Sequence, residues 1–345
     1  MMVYTRIFGT TEEDIKQAAE IIKEGGLVAF PTETVYGLGA NALDTEAVGK
    51  VYAAKGRPSD NPMIVHIANK EDVARLTPSI TEDMEKLMEA FWPGPLTMVV
   101  AAKEEIPRVT TGGLDTVAVR MPASDVALSL IREAGVPVAA PSANLSGRPS
   151  PTTAMHVYDD LKDRIDAVIQ GDACKVGIES TVVDMTEEAP MILRPGIVTQ
   201  QEIAEVLSKE VALDPALLEK PDMFNNDGLL EEGREFKPKS PGMKYKHYAP
   251  KAEMVIFSGE EPEKVRLAIA TEKMTRVGYG QKVGVLIFEK ESPEDIAREF
   301  FGQLRAFDKS GVDVILAAAI KEDGVGLAVM NRMFKSAGYN IREIK

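Results

Sequence analysis

Three short stretches of this 345-residue chain place hydroxyl, amide and cationic side chains where apolar segments end. They are residues 31–38 (PTETVYGL), 55–62 (KGRPSDNP) and 140–147 (APSANLSG). Such groups bind anions and polar ligands, and loops held on a rigid scaffold are where binding and catalytic groups concentrate. The sequence therefore indicates a ligand site assembled from several loops.

The second stretch favours a phosphate ligand. Lys55 and Arg57 alone are typical of a solvated helix end, where basic side chains suit the negative pole of the helix dipole. The following Pro-Ser-Asp-Asn-Pro changes that interpretation, because two prolines restrict the loop and Asn61 offers an amide to a base or ribose edge. An ammonium group beside a planar guanidinium suits a polyphosphate.

Two further arginines, Arg120 and Arg194, lie in or just after apolar strands, where a free guanidinium is costly to bury. For either residue alone, an internal salt bridge is an equally good interpretation. Together with the two cations of residues 55–57, they favour a shared anionic ligand. His66 stands among apolar neighbours and is typical of a satisfied core histidine. With three histidines in the chain, no metal centre is predicted.

Two other chemistries fit the motifs less well. Residues 37–42 (GLGANA) match a loose G-x-G-x-x-A dinucleotide pattern, but Pro31 breaks the preceding strand early and the next helix begins only near Asp44. Around Ser142 and Asn144, the glycines of a nucleophile elbow are missing and no Asp/His pairing is evident. A polar clamp of hydroxyl, amide and backbone N–H groups is therefore favoured over a hydrolase triad.

Composition excludes several classes of protein. The net charge of −14 argues against broad non-specific binding of nucleic acid, and the single Cys174 allows neither an intramolecular disulfide nor a cysteine-rich zinc site. Residues 1–10 lack the pattern of a signal peptide, and the longest late apolar run, residues 312–320, is too short to span a bilayer. We expect a soluble, cytoplasmic protein without a membrane partner.

The element pattern predicts an α/β protein with two domains. Over residues 1–208 strands outnumber helices without strict alternation, which favours a twisted, open mixed sheet with flanking helices. Its first helix is expected to begin at a capping box formed by Thr10 and Glu13. Residues 209–250 are charged and interrupted by prolines, which is typical of a linker. Residues 251–345 repeat strand and helix three times, which predicts a small parallel three-layer Rossmann-like domain.

The end of the linker, residues 240–250 (SPGMKYKHYAP), combines basic and aromatic groups between prolines. A plain spacer is one interpretation. Its place in an otherwise acidic linker favours a lid that closes over an anionic ligand, with Ser240, Tyr245 and His247 as its contact groups.

Together, these motifs resemble the YrdC-like threonylcarbamoyl-AMP synthases in their long, two-domain form. The resemblance covers essentially the whole chain and includes residues 31–42, 55–62, 92–97 (WPGPLT), 120–122 (RMP), 141–147, 177–184 and 193–196 (LRPG). It implies a YrdC-like N-terminal domain and a nucleotidyltransferase that converts L-threonine, bicarbonate or CO2, and ATP to threonylcarbamoyl-AMP and pyrophosphate. Mg²⁺ would arrive with ATP. The product would pass to the machinery that modifies an adenosine beside the anticodon of tRNA, with direct tRNA binding weak or absent.

The resemblance also implies roles for individual residues. Lys55 and Arg57 are expected to be catalytic, and Arg120 is a natural partner for the carboxylate of threonine. The expected ATP-binding residues are Lys55, Arg57, Asn61, Thr116, Ala140, Ser142, Asn144, Ser150 and Arg194. The expected threonine-binding residues are Thr34, His66, Arg120 and Ser180.

Two rival functions are considered. A carbamoyl-transfer enzyme of hydrogenase maturation shares the N-terminal fold, but it is larger and carries cysteine-rich zinc fingers that Cys174 alone cannot build. An RNA-binding or regulatory module would use the basic cleft without chemistry. The net charge of −14 weighs against that module, and a steep salt dependence of RNA affinity would be its signature.

Overall fold

A computed structural model describes residues 4–218, 247–288 and 291–345 of the chain. These residues form an eleven-stranded sheet in an N-terminal domain and a four-stranded sheet in a C-terminal domain. Helices flank both sheets. The predicted α/β class, with a mixed sheet followed by a small parallel one, is confirmed.

The larger sheet is mixed, with both parallel and antiparallel neighbours. Its strands in the described residues are β1 (Arg6–Phe8), β2 (Val28–Phe30), β3 (Gly37–Asn41), β4 (Ile64–His66), β5 (Leu96–Ala101), β6 (Thr116–Arg120), β7 (Val138–Ala139), β8 (Ala167–Ile169), β9 (Thr181–Asp184), β10 (Met191–Arg194) and β11 (Ala212–Leu213). They are ordered β1-β8-β2-β3-β7-β4-β6-β5-β9-β10-β11. At the centre, β4 runs parallel to β6 and antiparallel to β7.

Helices of the N-terminal domain begin where side-chain oxygens can cap them. The hydroxyl of Thr11 accepts from the backbone N–H of Asp14, so the first helix begins one residue later than predicted from Thr10. The backbone at Thr11 is extended, as a cap requires. The helices are α1 (Glu12–Lys23), α2 (Thr45–Lys55), α3 (Glu82–Phe91), α4 (Asp125–Ala134), α5 (Ala154–Leu161), α6 (Gln200–Leu207) and α7 (Pro215–Leu218), with a 3₁₀ helix at Lys70–Arg75.

The start of the predicted linker is ordered. β11 and α7 both lie after residue 208, and β11 pairs in parallel with β10. Val211 is buried and belongs to the core of the N-terminal domain. The larger sheet therefore extends to Leu213.

The C-terminal domain is a parallel sheet between two helix layers. Its strands are β12 (Glu253–Ser258), β13 (Val283–Leu286), β14 (Val314–Ala318) and β15 (Ile341–Glu343), and its helices are α8 (Pro262–Gly278), α9 (Pro293–Ser310) and α10 (Val325–Ser336). Val255 and Phe257 pack with α8, whereas Met254 and Ile256 face α9 and α10. β15 is a further strand that the sequence did not indicate, because it is short and largely exposed. Among the described residues, no helix is long and apolar enough to cross a membrane.

The two domains touch through an apolar contact. Val35 and Ile178 of the N-terminal domain belong to the same buried cluster as Phe300 and Phe301 of α9. Gly177 permits the close approach, because its φ is +83° and a Cβ there would overlap the Cα of Arg298 and lie 2.5 Å from the carbonyl oxygen of Ala297. The domain contact therefore requires glycine at this position.

We expect Gly177→Ala to lower the free energy of unfolding by about 2 kcal/mol or more, because the new methyl group meets the backbone of α9 in a conformation that favours glycine. Urea unfolding of the full chain measures the change. Gly49→Ala in α2 is the control: nothing lies within 4 Å of its added Cβ, and we expect it to stabilise by about 1 kcal/mol or less. Equal stability of the two variants would contradict the packing argument.

Candidate active site

Strand ends of the larger sheet bring the predicted loops together. His66 at the end of β4 lies beside Arg120 at the end of β6, since the two residues are in register. β3 pairs with β7, and Gly37 forms a bridge with Ser142, so residues 31–36 meet residues 140–144. They enclose a cavity of about 60 Å³. The cavity is lined by Thr32, Thr34, Val35, Gly37, Arg57, Ile64, His66, Arg120, Ala140, Pro141, Ser142, Glu179, Ser180, Arg194, His247 and Tyr248.

Arg57 and Arg194 give the cavity a cationic wall. Arg57 follows the left-handed Gly56 that ends α2, and its Nη2 donates to the carbonyl oxygen of Pro62 at 2.9 Å. Arg194 ends β10, and its Nε and Nη2 donate to the carbonyl and hydroxyl oxygens of Ser180 at 3.0 and 3.1 Å. Burial lowers the pKa of Arg57 to about 10 and also lowers the pKa of Arg194. These contacts are to neutral oxygens, so they leave the positive charge available to an anion.

Arg120 and Thr34 form a second polar group that lines the same cavity, and Glu33 pairs with Arg120 without being a lining residue. Nη2 of Arg120 lies 2.6 Å from Oε1 of Glu33, and Nη1 donates to Oγ1 of Thr34 at 2.9 Å. The internal salt bridge left open by the sequence is therefore present. A guanidinium has more N–H donors than these contacts use, and Oε2 of Glu33 has no hydrogen-bond partner within the described part of the chain. A carboxylate oxygen and guanidinium N–H groups side by side complement the ammonium and carboxylate of an amino acid.

His66 is a buried, neutral member of the site. Its side chain is 3% exposed, and Nδ1 lies 3.3 Å from the carbonyl oxygen of Ile64. Burial, reinforced by the positive charge of Arg120, lowers the pKa of His66 to about 3. The imidazole is thus uncharged at neutral pH while it lines the cavity.

Lys55 and Asn144 shape the loop that carries Ser142. Nζ of Lys55 donates to the carbonyl oxygens of Ser142 and Asn144, the latter at 2.5 Å. The side chain of Asn144 accepts from Oγ of Ser142 at 2.5 Å and donates to the carbonyl oxygen of Leu145 at 2.7 Å. Burial, followed by repulsion from Arg57, lowers the pKa of Lys55. Ser142 and Ala140 line the cavity, whereas Lys55 and Asn144 hold the loop from behind.

The remaining predicted residues differ in position. Ser180 lines the cavity, and its Oγ lies 2.7 Å from Oγ1 of Thr97. Ser150 is buried behind the cavity wall and its hydroxyl donates to Oε1 of Glu179. Asn61 and Thr116 are not among the lining residues; Thr116 begins β6 at the end opposite Arg120. The ATP-binding roles of Asn61, Thr116 and Ser150 stay predictions.

The predicted lid is described only at its end. Ser240 and Tyr245 lie outside the described residues, but His247 and Tyr248 line the cavity with ring centroids 5.5 Å apart. Tyr248 also packs on Phe301 of α9, with ring centroids 5.2 Å apart. Burial, and then the charges of Arg57 and Lys335, lower the pKa of His247 well below its usual value. This end of the linker therefore covers the site from the side of the C-terminal domain.

Sequence reasoning gave no role to two carboxylates, Glu33 and Glu179. Each lies inside one of the noted motifs, and a carboxylate in an apolar run is a signal that a partner is required. Burial by itself raises the pKa of Glu179, but Arg332, Arg194 and the hydrogen bond from Ser150 together hold it below its ordinary value. Within residues 4–218, 247–288 and 291–345, no group of three or more His, Cys, Asp or Glu side chains is placed to hold a metal ion.

The two domains match two family models in chain order. Residues 20–196 match the model described as telomere recombination, and residues 198–338 match the C-terminal domain of threonylcarbamoyl-AMP synthase. The combination defines a two-domain class of enzyme. The chain belongs to the threonylcarbamoyl-AMP synthase family in its two-domain form.

Relatives and a solved structure agree with this membership over nearly the full length. The chain is 48% identical to the threonylcarbamoyl-AMP synthase of Pyrococcus abyssi, with 96% of each sequence covered. It is 45% identical to the enzyme of that name from Bacillus subtilis, covering 95% of this chain and 94% of that one. The crystal structure of P. abyssi Sua5 complexed with L-threonine superposes with a TM-score of 0.91 at 47% identity, covering 99% of this chain and 100% of that one.

The burial of neutral His66 has a consequence for stability in acid. Its pKa is about 3 in the folded protein against 6.5 for the free side chain. Between pH 3 and pH 6.5 the unfolded chain therefore binds more protons than the folded protein, and the free energy of unfolding falls as the pH drops below 6.5. We expect wild-type protein to lose about 2 kcal/mol more than His66→Gln between pH 8 and pH 5. Urea unfolding at both pH values measures the difference; equal losses would contradict a neutral buried imidazole.

Proposed function

We propose that this protein converts ATP, L-threonine and bicarbonate or CO2 to threonylcarbamoyl-AMP and pyrophosphate, the reaction implied by its family. One observation carries the proposal: Arg57 and Arg194 line the same cavity as Arg120 and Thr34, and Arg120 is paired with Glu33. The first pair suits the phosphates of a nucleotide, and the second pair with Glu33 suits a zwitterionic amino acid. The two ligands would therefore meet at one place.

The reaction needs no nucleophile from the protein. The amine of threonine attacks the carbon of CO2 and loses a proton, which forms a carbamate. A carbamate oxygen then attacks the α-phosphorus of ATP, and the bond to the β-phosphate oxygen breaks to release pyrophosphate. The reactants carry negative charge, so catalysis would come from holding them together and stabilising the charge that develops on the phosphates.

The individual roles follow from the geometry. Arg57 and Arg194 would hold phosphates, and Lys55 would keep the Ser142 loop in place. Two of its three N–H groups donate to carbonyl oxygens of described residues, and the third would donate to an oxygen of the nucleotide. Arg120 would donate to the carboxylate of threonine, while the unpartnered Oε2 of Glu33 would accept from its amine. Mg²⁺ would arrive bound to the phosphates of ATP and leave with pyrophosphate.

The lid interpretation draws support from the size of the cavity. At about 60 Å³, the cavity is far smaller than the roughly 300–1,000 Å³ of pockets that hold drug-sized ligands. ATP could enter only if His247 and Tyr248 moved away from it. We propose that residues 240–250 open to admit the substrates and close to protect the labile product from water.

An RNA-binding module is the weaker alternative. Arg194 is 5% exposed, and Arg57 is half-buried and lines the same cavity, so these two charges do not form an exposed basic surface for a polynucleotide backbone. The net charge of −14 adds to this argument. We propose that this protein binds tRNA weakly or not at all and that its product passes to the tRNA-modifying machinery. We propose that the reaction takes place in the cytoplasm.

The test is pyrophosphate release from ATP and Mg²⁺, with and without bicarbonate, in the presence of L-threonine or L-serine. Release that requires bicarbonate and prefers threonine supports the proposal. We expect Arg57→Ala to lower turnover by about 100-fold or more, because a guanidinium that stabilises phosphate charge is lost. Arg132→Ala, at an exposed position of α4, should retain wild-type turnover. No threonine-dependent release from folded wild-type protein would contradict the proposal.

Thr34→Val tests the threonine end of the cavity with little change of shape. The variant removes the hydroxyl group that accepts from Arg120, and we expect the KM for threonine to rise roughly tenfold. The KM for ATP should change by less than about twofold, because the nucleotide contacts the other wall. Steady-state kinetics with each substrate varied in turn measures both constants. A rise in the KM for ATP alone would contradict the assignment of Thr34.

A further inference from the structure

Arg332 of α10 reaches from the C-terminal domain to the back of the cavity. Its side chain is 0% exposed, and Nε lies 3.2 Å from Oε2 of Glu179. Nη1 donates to the carbonyl oxygen of Pro195, and Nη2 donates to that of Glu179 at 3.4 Å. The other oxygen of Glu179 accepts from the hydroxyl of Ser150. One carboxylate thus connects a guanidinium of the C-terminal domain to the side chain of Ser150.

Arg305 of α9 reaches the backbone of the same residue. Its Nη2 donates to the carbonyl oxygen of Pro149 at 2.6 Å and pairs with Oδ2 of buried Asp160 at 2.8 Å. Its Nε donates to the carbonyl oxygen of Ser150 at 3.4 Å. Asp160 also accepts from the backbone N–H of Leu145 at 3.3 Å. The segment from residue 145 to residue 150 is therefore held from the C-terminal domain.

The polar contacts of Arg332 and Arg305 are not needed to hold the two domains together. The apolar contact around Phe300 and Phe301 already joins the domains. A buried ion pair is a poor source of stability, because the loss of hydration offsets most of the attraction between the charges. The two arginines instead orient the groups that they contact, because each guanidinium donates to several oxygens in a defined geometry. Both arginines contact Ser150: Arg332 through the carboxylate of Glu179, and Arg305 directly through the carbonyl oxygen of Ser150.

We propose that Arg332 and Arg305 are positioning residues of the nucleotide site, and that the C-terminal domain completes this site by fixing Ser150. The inference rests on the proposed function and on the prediction from the sequence that Ser150 is an ATP-binding residue. Arg332 holds the hydroxyl of Ser150 through Glu179, and Arg305 holds its carbonyl group. The loss of either arginine releases Ser150 without removing a group that touches the substrate.

This role differs from a purely structural one in what it changes. A loosened Ser150 weakens nucleotide binding, so the dissociation constant and the KM for ATP rise. The KM for threonine and kcat at saturating ATP stay close to wild type, because the groups around Arg120 and the reacting atoms are unaltered. A merely destabilised protein would lose active molecules, which lowers kcat and leaves both KM values unchanged.

The test compares Arg332→Met with Arg298→Met in the full chain. Arg298 also crosses the domain contact, since its Nε donates to the carbonyl oxygen of Lys175 at 3.0 Å, but its contacts do not include Ser150 or Glu179. We expect the dissociation constant of ATP to rise roughly tenfold in Arg332→Met and less than about twofold in Arg298→Met. Equilibrium titration with ATP measures it without turnover. Equal affinities in the two variants would overturn the inference.

Arg332→Met leaves the buried carboxylate of Glu179 without its ion-pair partner, which threatens folding. Arg332→Lys keeps a positive charge but loses the fork of donors, and we expect it to bind ATP with an affinity between those of wild type and Arg332→Met. Arg332→Met/Glu179→Gln removes both charges and serves if the single variant does not fold. Wild-type affinity in either folded replacement would count against the inference.

A double-mutant cycle with Ser150→Ala separates this inference from the proposed function. If Arg332 acts through Ser150, Arg332→Met adds less than about a twofold loss of ATP affinity once Ser150 is alanine. Fully additive losses would overturn the inference while leaving threonine-dependent turnover by wild-type protein intact. Absence of that turnover would contradict the proposed function itself. Wild-type ATP affinity in Ser150→Ala would show that Ser150 is not part of the nucleotide site, and the positioning role would then be wrong.

Discussion

The enclosure of several positive charges in one small cavity is the constraint on which the rest of the structure depends. Arg57, Arg120 and Arg194 line a common space, with Lys55 directly behind it. Their repulsion and loss of hydration oppose folding, and the depressed pKa values of Lys55, Arg57 and Arg194 record that cost. The fold meets it by turning carbonyl oxygens toward the cations rather than by pairing each with a carboxylate. The positive charges of Arg57 and Arg194 are therefore solvated largely by neutral oxygens.

Strand ends make this arrangement possible. The carbonyl oxygens that solvate Arg57 and Lys55 belong to irregular segments after β7 and before β4, where no neighbouring strand competes for them. Arg120 and His66 keep their register because all three residues of β4 are paired with β6. Rigid elements thus fix the direction of each side chain, and loops supply the acceptors. This is why residues from loop segments rich in proline and glycine can line a buried site.

Much of the fold could be predicted from the sequence, because short local patterns of residues determine it. The mixed character of the larger sheet and the parallel character of the smaller one were both predictable from short-range signals. The capping position of α1 was not, since Thr10 and Thr11 both offer a hydroxyl and only the backbone decides between them. The roles of Lys55 and Asn144 in holding a loop required three-dimensional contacts. Arg332 gave no signal, because its partner is 153 residues away in the sequence.

The pairing of the first strand with β8 has a consequence for how the chain acquires its structure during synthesis. Arg6 lies opposite Ala167 in the sheet, so β1 has no partner until most of the N-terminal domain has been made. Such long-range pairing is slow to form, since a large loop must close first. Arg332 emerges later still, because it follows β8 in the sequence. A nascent chain would therefore synthesise every strand of its larger sheet before Arg332 can contact Glu179, and a ribosome-bound fragment that ends before α10 would lack that contact.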